Sequence, residues 1–330
     1  MSSLCLLISE NGSPPEVIRT APHDLPDLGP NDVRVRIHYA PINPADLNVI
    51  QGNYGRKPHL PCIPGHEASG VVEAIGSEVT SLAVGDHVIP LLGVGTWSQH
   101  MIAAEQFFAL LPPGIDLAQA AMLRINPVTA WLLLKEFVPL LEGDWIAQNA
   151  GNSAVGRAVI QIAATLGIRT LSFVRRADLI PELEAQGATA VFVDDAEGHA
   201  AARERLGTTP VRLAANAVSG DSAIRLMNLL APGGTLVTYG AMSLKSLKVP
   251  NGFLIFKDLH LRGLWVSRWF EHAAPEALLH TLAPLADMML AGKLHVPIQA
   301  IIPFQNAPEA LSLAAQPHRS GKILLDFTAE

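Results

Sequence analysis

Between Trp145 and Gly167 the chain reads WIAQNAGNSAVGRAVIQIAATLG, a buried-type apolar run, a turn of small residues and an apolar stretch at helical spacing in immediate succession. Ile146 and Ala147 lead into Asn149, Ala150, Gly151, Asn152, Ser153 and Ala154, whose short side chains let backbone N–H groups approach an anion. Val155, Val159, Ile162, Ala163 and Leu166 then recur with helical periodicity. The turn therefore occupies a helix N-terminus, where peptide dipoles and unpaired N–H groups favour negative charge. A strand–turn–helix cradle for phosphate is predicted. The usual three-glycine dinucleotide fingerprint is incomplete, since only Gly151 and Gly156 are present, with Ser153 and Ala154 between them.

The next apolar run, RTLSFV, ends in Arg175 and Arg176, about twenty residues beyond the turn, where an NAD site carries an acid. Guanidinium groups bind a 2′-phosphate through several directed donors, whereas a carboxylate there repels it. The pair favours NADPH over NADH. A plainer reading makes these solvated strand-end arginines, neutralised by Asp178.

A length of 330 residues, 49% of them hydrophobic and 16% charged, suits a compact chain with two domains and a large core. The net charge of -7 speaks against nucleic acid, which demands a basic face. Apolar runs are short and interrupted, which speaks against a membrane. The N-terminus lacks a basic start and cleavage site and reads as a first strand. Only Cys5 and Cys62 are present, too few for a disulfide framework, so a reducing, cytoplasmic setting is expected.

Up to Pro112–Gly114 the chain alternates short strands with turns, as in VRVRIHY, GHEASGVVEAIG and GDHVIPL. Helices and strands then alternate: helices at Ala118–Leu123, Val128–Phe137 and Ser222–Leu230, strands at Ala190–Val193, Val211–Asn216 and Thr235–Tyr239. This predicts an α/β unit with a parallel sheet covered on both faces. A strand IQAIIPF, a helix over Ala307–Ala315 and a strand over Lys322–Phe327 close the chain and read as a return to the first domain. The expected boundaries are 1–118 with 293–330 for the β-rich domain, and 119–292 for the inserted dinucleotide domain.

GHEASGVVEAIG and GDHV resemble the first-domain signature of medium-chain dehydrogenases/reductases. NPADLNVIQGNYG (Asn43–Gly55), INPVTAW (Ile125–Trp131), QNAGNSAVGRAVIQIA, TYGAM (Thr238–Met242) and FLIFKDLHLRGLWVSRW (Phe253–Trp269) resemble the zinc-free 2-enoyl thioester reductases of mitochondrial and bacterial type. The implied fold is a Rossmann doubly wound parallel sheet inserted into a β-rich GroES-like catalytic domain. The implied reaction is NADPH-dependent reduction of the C2–C3 double bond of a trans-2-enoyl thioester of CoA or acyl carrier protein, in a homodimer without metal. Zinc in this superfamily takes a Cys, the GHE histidine and a further Cys or acid; here His66, Glu67 and Asp46 stand without thiolates, and His66 reads as a polar structural residue.

The resemblance places the catalytic phenol at Tyr54 and the cofactor set at Asn126, Gly151, Asn152, Ser153, Ala154, Val155, Gly156, Arg175, Arg176, Tyr239, Gly240, Ala241, Met242, Trp265 and Lys322. It also gives Trp265, Trp269 and Phe256 to the substrate, walling an acyl tunnel. Each has a plainer reading: Tyr54 as an exposed turn residue, Asn126 as a helix cap before Pro127, the aromatics as core, Lys322 as a solvated edge lysine. Two departures bear on substrate choice, Leu264 where an aromatic is usual and His66 where the branch commonly has Asn. Two other functions stay open: reduction of quinones or α,β-enones on the same fold, and, in another class, a non-catalytic NADPH sensor or nucleic-acid binder. Arg56, Lys57 and Arg268 are candidates for phosphate or an acidic carrier. The apolar run before TYGAM is a candidate edge strand for the dimer.

Overall fold

The computed structural model describes residues 2–317, 319 and 321–329. Seven strands come first: β1 (Ser2–Ile8), β2 (Ile18–Asp24), β3 (Asp32–Pro41), β4 (Ser69–Ile75), β5 (His87–Pro90), β6 (His100–Ala104) and β7 (Phe108–Leu110). Six follow in the middle of the chain: β8 (Trp145–Gln148), β9 (Arg169–Val174), β10 (Ala190–Val193), β11 (Val211–Asn216), β12 (Leu230–Thr238) and β13 (His260–Gly263). Two close it, β14 (Ile298–Pro303) and β15 (Lys322–Asp326). The chain divides into two compact units, Met1–Ile125 with Leu282–Glu330, and Asn126–Thr281.

In the split unit, β1 and β2 form an antiparallel pair, and a second sheet runs β14-β15-β3-β4-β5-β7, with β6 also on β3. Val33, Val35 and Ile37 of β3 are fully buried at every second position, the period of a strand with one face on the core. They pack with Ile42, Ile50, Trp97, Phe304, Ile323 and Leu325. The returning β15 lies between β14 and β3, so it is an interior strand.

In the second unit the order is β10-β9-β8-β11-β12-β13, with every pair parallel. All four residues of β8 are buried, as expected where helices cover both faces. From β8 the chain winds first towards β10 and then returns to β11 on the other side. The crevice beyond the β8 and β11 carboxyl ends is therefore the topological switch point, where open α/β sheets bind ligands.

Two expectations are corrected. The apolar run before TYGAM is β12, paired on one side with β11 and on the other with β13, so it cannot offer an edge. On that side of the sheet the edge is β13, whose short HLRG sequence lacks the apolar alternation that marks a strand. The helix expected at Ala118–Leu123 is one turn, Leu117–Ala120, set early by the Asp116 carboxylate accepting from the Ala118 N–H at 2.8 Å. Among the described residues no helix is long and apolar enough to cross a membrane.

Candidate active site

In the split unit, a helix over Pro44–Ile50 starts with Asn43 at its cap and proline at its first position. Its third residue, Asp46, is fully buried. One carboxylate oxygen accepts from the Asn43 backbone N–H at 2.7 Å, and the other meets His66 Nδ1 at 2.5 Å. The Asn43 amide donates to Glu67 Oε1 at 2.8 Å, while Glu67 Oε2 accepts from the Ile125 N–H at 2.8 Å. Lys322 Nζ donates to Asn43 Oδ1. Arg124 donates to the carbonyls of Leu91 at 3.1 Å and His66 at 3.2 Å. The half-buried Tyr54 sets its ring against His66, with centroids 5.5 Å apart and planes at 70°.

This is a buried charge network in which each ionic group has directed partners, the condition for tolerating charge away from water. Burial pushes the Glu67 carboxyl up, opposed by Lys322, the Asn43 amide and the Ile125 N–H. Burial likewise pushes the Lys322 ammonium down to about 8, opposed by Glu67 and Asp46. Lys322 is thus no solvated edge lysine: it is 7% exposed, on an interior strand.

In the second unit, the turn after β8 is held from several sides. Ser153 caps the helix Ala154–Thr165, its oxygen accepting from the Gly156 N–H at 3.1 Å, which leaves its own hydroxyl proton to donate. Arg157 donates to the Asn152 carbonyl at 3.1 Å and forks onto Glu182 at 2.7 and 3.0 Å. A Cβ on Gly156 would lie 2.6 Å from the carbonyl oxygens of Ala150 and Gly151, so only glycine lets the helix approach the turn this closely. Val155 is buried behind it.

Asn149 ties the turn to the loop after β11: its amide donates to Asn216 Oδ1 at 2.9 Å and Ser222 Oγ at 2.8 Å, and its oxygen accepts from the Ala217 N–H at 2.7 Å. The TYGAM segment joins the same loop through Tyr239 N–H to the Asn216 carbonyl at 3.0 Å and Met242 N–H to the Ala217 carbonyl at 2.9 Å. Gly240 packs 3.1 Å, by its missing Cβ, from the Ala217 oxygen, while Ala241 and Met242 are exposed. Burial drives the Tyr239 phenol far up. Ser153 opposes this, though no fully formed hydrogen bond joins them, so burial governs.

Arg175 and Arg176 are both exposed at the end of β9. Arg176 is engaged by Asp178 at 3.1 Å, as the plainer reading had it for this one residue. Asn126 is buried and opens the helix Asn126–Lys135. Trp265 and Trp269, one helical turn apart, line an open pocket of about 390 Å³ with Gly263, Leu264, Arg268 and His272. Phe256 does not line that pocket: it is 86% exposed at the end of the five-residue helix Asn251–Ile255.

The match to known proteins runs along the whole chain. Residues 29–113 match the alcohol dehydrogenase GroES-like domain, and residues 186–325 match the zinc-binding dehydrogenase family. The human mitochondrial enoyl-[acyl-carrier-protein] reductase is 40% identical over 97% of this chain and 87% of its own. The chain belongs to the mitochondrial-type enoyl-[acyl-carrier-protein] reductase family, within the medium-chain dehydrogenases/reductases. The Candida tropicalis 2-enoyl thioester reductase Etr1p, solved with NADP and crotonyl-CoA, superposes with a TM-score of 0.89 at 29% identity, over 99% of this chain and 100% of that one. A Bacillus thuringiensis protein proposed to be an NADPH:quinone reductase superposes with a TM-score of 0.92 at 26% identity, over 99% of both chains.

One matching domain carries a zinc-binding name; among the described residues no group of three or more His, Cys, Asp or Glu side chains is placed to hold a metal ion. Asn43, from the segment where the superfamily's first thiolate stands, has its amide committed to Glu67 and its oxygen to Lys322. Each Glu67 oxygen accepts one hydrogen bond, from the Asn43 amide and the Ile125 N–H, and Asp46 accepts from the Asn43 N–H and meets His66, so no thiolate stands with the imidazole. Sequence reasoning passed over the Glu67–Asn43–Lys322 link and the Asn149–Asn216–Ser222 link. The first joins residues 279 positions apart and has no local signature. The second left one trace, Asn149 directly after β8 and Asn216 as the last residue of β11.

Proposed function

We propose that the protein reduces the C2–C3 double bond of trans-2-enoyl thioesters with NADPH, Tyr54 serving as the acid. The observation that carries this reading is the Tyr54 ring seated on a His66–Asp46 pair that lacks the ligands for zinc. A polarising metal is thereby replaced by a phenol. Etr1p, of the same fold, is a 2-enoyl thioester reductase solved with NADP and crotonyl-CoA.

The residues suit a dinucleotide. The turn offers backbone N–H groups at a helix N-terminus, the Ser153 hydroxyl as a further donor, and a close approach that a Cβ at Gly156 would block. Gly151 to Gly156 take the pyrophosphate, Arg175 and Arg176 the 2′-phosphate, and Tyr239 to Met242 with Asn126 and Trp265 the nicotinamide end. When bound, NADPH supplies the hydride for the β-carbon. Tyr54 hydrogen-bonds the thioester oxygen as negative charge develops there and passes a proton to the α-carbon. Lys322 serves from inside the network, keeping Asn43 and Glu67 in place. Trp265 and Trp269 flank the acyl group, with Leu264 widening the space an aromatic would fill.

A homodimer formed along the β13 edge fits the exposed backbone of His260–Gly263 and the exposed Leu254, Ile255 and Phe256 nearby in sequence. Etr1p pairs with Etr2p in a heterodimer. The free thiols of Cys5 and Cys62 suit a cytoplasmic setting, tested by cell fractionation against the mitochondrial location of the curated relatives. The enzymatic reading is tested by NADPH oxidation with crotonyl-CoA and with a small quinone, for the parent and for Tyr54→Phe. Crotonyl-CoA turnover dependent on Tyr54 is expected. Quinone turnover indifferent to Tyr54, with crotonyl-CoA inert, would assign a quinone reductase.

A further inference from the structure

We propose that Asp194 is a positioning residue for NADPH: acting through Ser222, it fixes the direction in which Asn149 ties the phosphate turn to the loop after β11. The inference rests on the placement of the pyrophosphate at Gly151 to Gly156 given above. Asp194 directly follows β10, and its backbone N–H donates at 2.7 Å to the carbonyl of Val174, the residue before Arg175. Its side chain is 9% exposed and collects donors on both oxygens. Oδ1 meets His199 Nε2 at 3.0 Å and accepts from Arg225 Nε at 2.9 Å, while Oδ2 accepts from Ser222 Oγ at 2.5 Å. Burial alone would raise this carboxyl; the bonds from His199, Ser222 and Arg225 outweigh it and hold the group below the usual carboxylate range. Asp194 is therefore ionised and can only accept.

That one-way character passes along a chain of bonds. Ser222, near the start of the helix Gly220–Leu229, gives its proton to Asp194, so towards the Asn149 amide, 2.8 Å away, its oxygen accepts. With its amide facing Ser222 and Asn216 Oδ1, the latter at 2.9 Å, Asn149 turns its oxygen to the Ala217 N–H at 2.7 Å. Asn216 Oδ1 also accepts from the Val218 and Ser219 N–H groups, which leaves its amide to donate to Thr238 Oγ1 at 3.1 Å. Thr238 opens the TYGAM segment. One carboxylate thus orients two fully buried amides and links the carboxyl ends of β8, β10, β11 and β12.

The partners of Asp194 separate two roles. Arg225 and His199 hold the carboxylate in its own surroundings, Arg225 adding a bond to the Asp194 carbonyl at 2.9 Å, and so contribute to stability. Ser222 leads from it to the turn. Asp194→Asn keeps the shape but sets a donor against Ser222, Arg225 or His199, each of which is itself a donor there, so the chain loses its direction.

The test is a double-mutant cycle of Asp194→Asn and Ser222→Ala, read by fluorescence titration with NADPH, by kinetics with crotonyl-CoA and by urea midpoints. Each single substitution should weaken NADPH binding, and raise its KM, about tenfold. With Ser222 already removed, Asp194→Asn should have no further effect on binding. At saturating NADPH, kcat stays within about twofold of the parent. The urea midpoint follows a different rule, since Asp194→Asn lowers it in both backgrounds through Arg225 and His199. Parental NADPH affinity in folded Asp194→Asn, or equal losses of affinity in both backgrounds, overturns the inference and leaves Asp194 a residue of stability alone. Should Asp194→Asn not fold by circular dichroism, Ser222→Ala decides: a loss of affinity of about tenfold supports the inference, and parental affinity contradicts it. Parental NADPH affinity in Gly156→Ala would instead overturn the placement of the pyrophosphate at the turn.

Discussion

Three side chains of the proposed function each make a separate prediction. Tyr54→Phe keeps the ring against His66 and removes the proposed acid, so kcat should fall about 100-fold while NADPH affinity by fluorescence titration is unchanged. Arg175 has no acid partner among the described residues, whereas Arg176 is shared with Asp178. Arg175→Ala therefore carries the larger penalty, raising KM for NADPH about tenfold and leaving KM for NADH unchanged. Lys322 makes stability depend on pH. Its ammonium sits at about 8 in the folded chain against an ordinary 10.5, so the unfolded chain binds more protons between those values and stability from this residue rises with pH across them. Urea midpoints should climb over that window in the parent, and Lys322→Met should lose that climb. The first two residues stand in short local segments, a turn and a strand end, that the sequence already marks as such. The surroundings of Lys322 were not, because its partner Asn43 is brought to it only by the β15–β3 pairing.

At the scale of elements, the cradle is where sequence and structure agree most closely, because strand, turn and helix are contiguous and each declares itself by periodicity. Gly156→Ala forces a Cβ to 2.6 Å from two carbonyl oxygens. It should destabilise the protein by about 1–3 kcal/mol and weaken NADPH binding, read by denaturant midpoints with and without NADPH. What periodicity does not reveal is which strand forms an edge. β12 is apolar enough to suggest an edge strand, yet it lies inside the sheet and β13, four residues with hardly an apolar signal, is the edge on that side. The exposure of Phe256 is likewise hidden from periodicity: it follows a five-residue helix with no buried residue.

For the whole molecule, order of elements identified the fold: a β-rich start, an α/β middle and a returning strand can be completed in few ways. The division between units falls at Ile125 and Leu282, against expected points at 118 and 293. Termini of elements do not reveal where packing separates. The central claim concerns hydride and proton delivery to one double bond, and isotopes read both. With NADPH deuterated at the transferable C4 position and crotonyl-CoA in ordinary water, the butyryl-CoA product should carry deuterium at C3; in heavy water with ordinary NADPH, it should carry deuterium at C2. Unlabelled C3 in the first experiment, or unreacted crotonyl-CoA beside steady NADPH oxidation, would contradict the account.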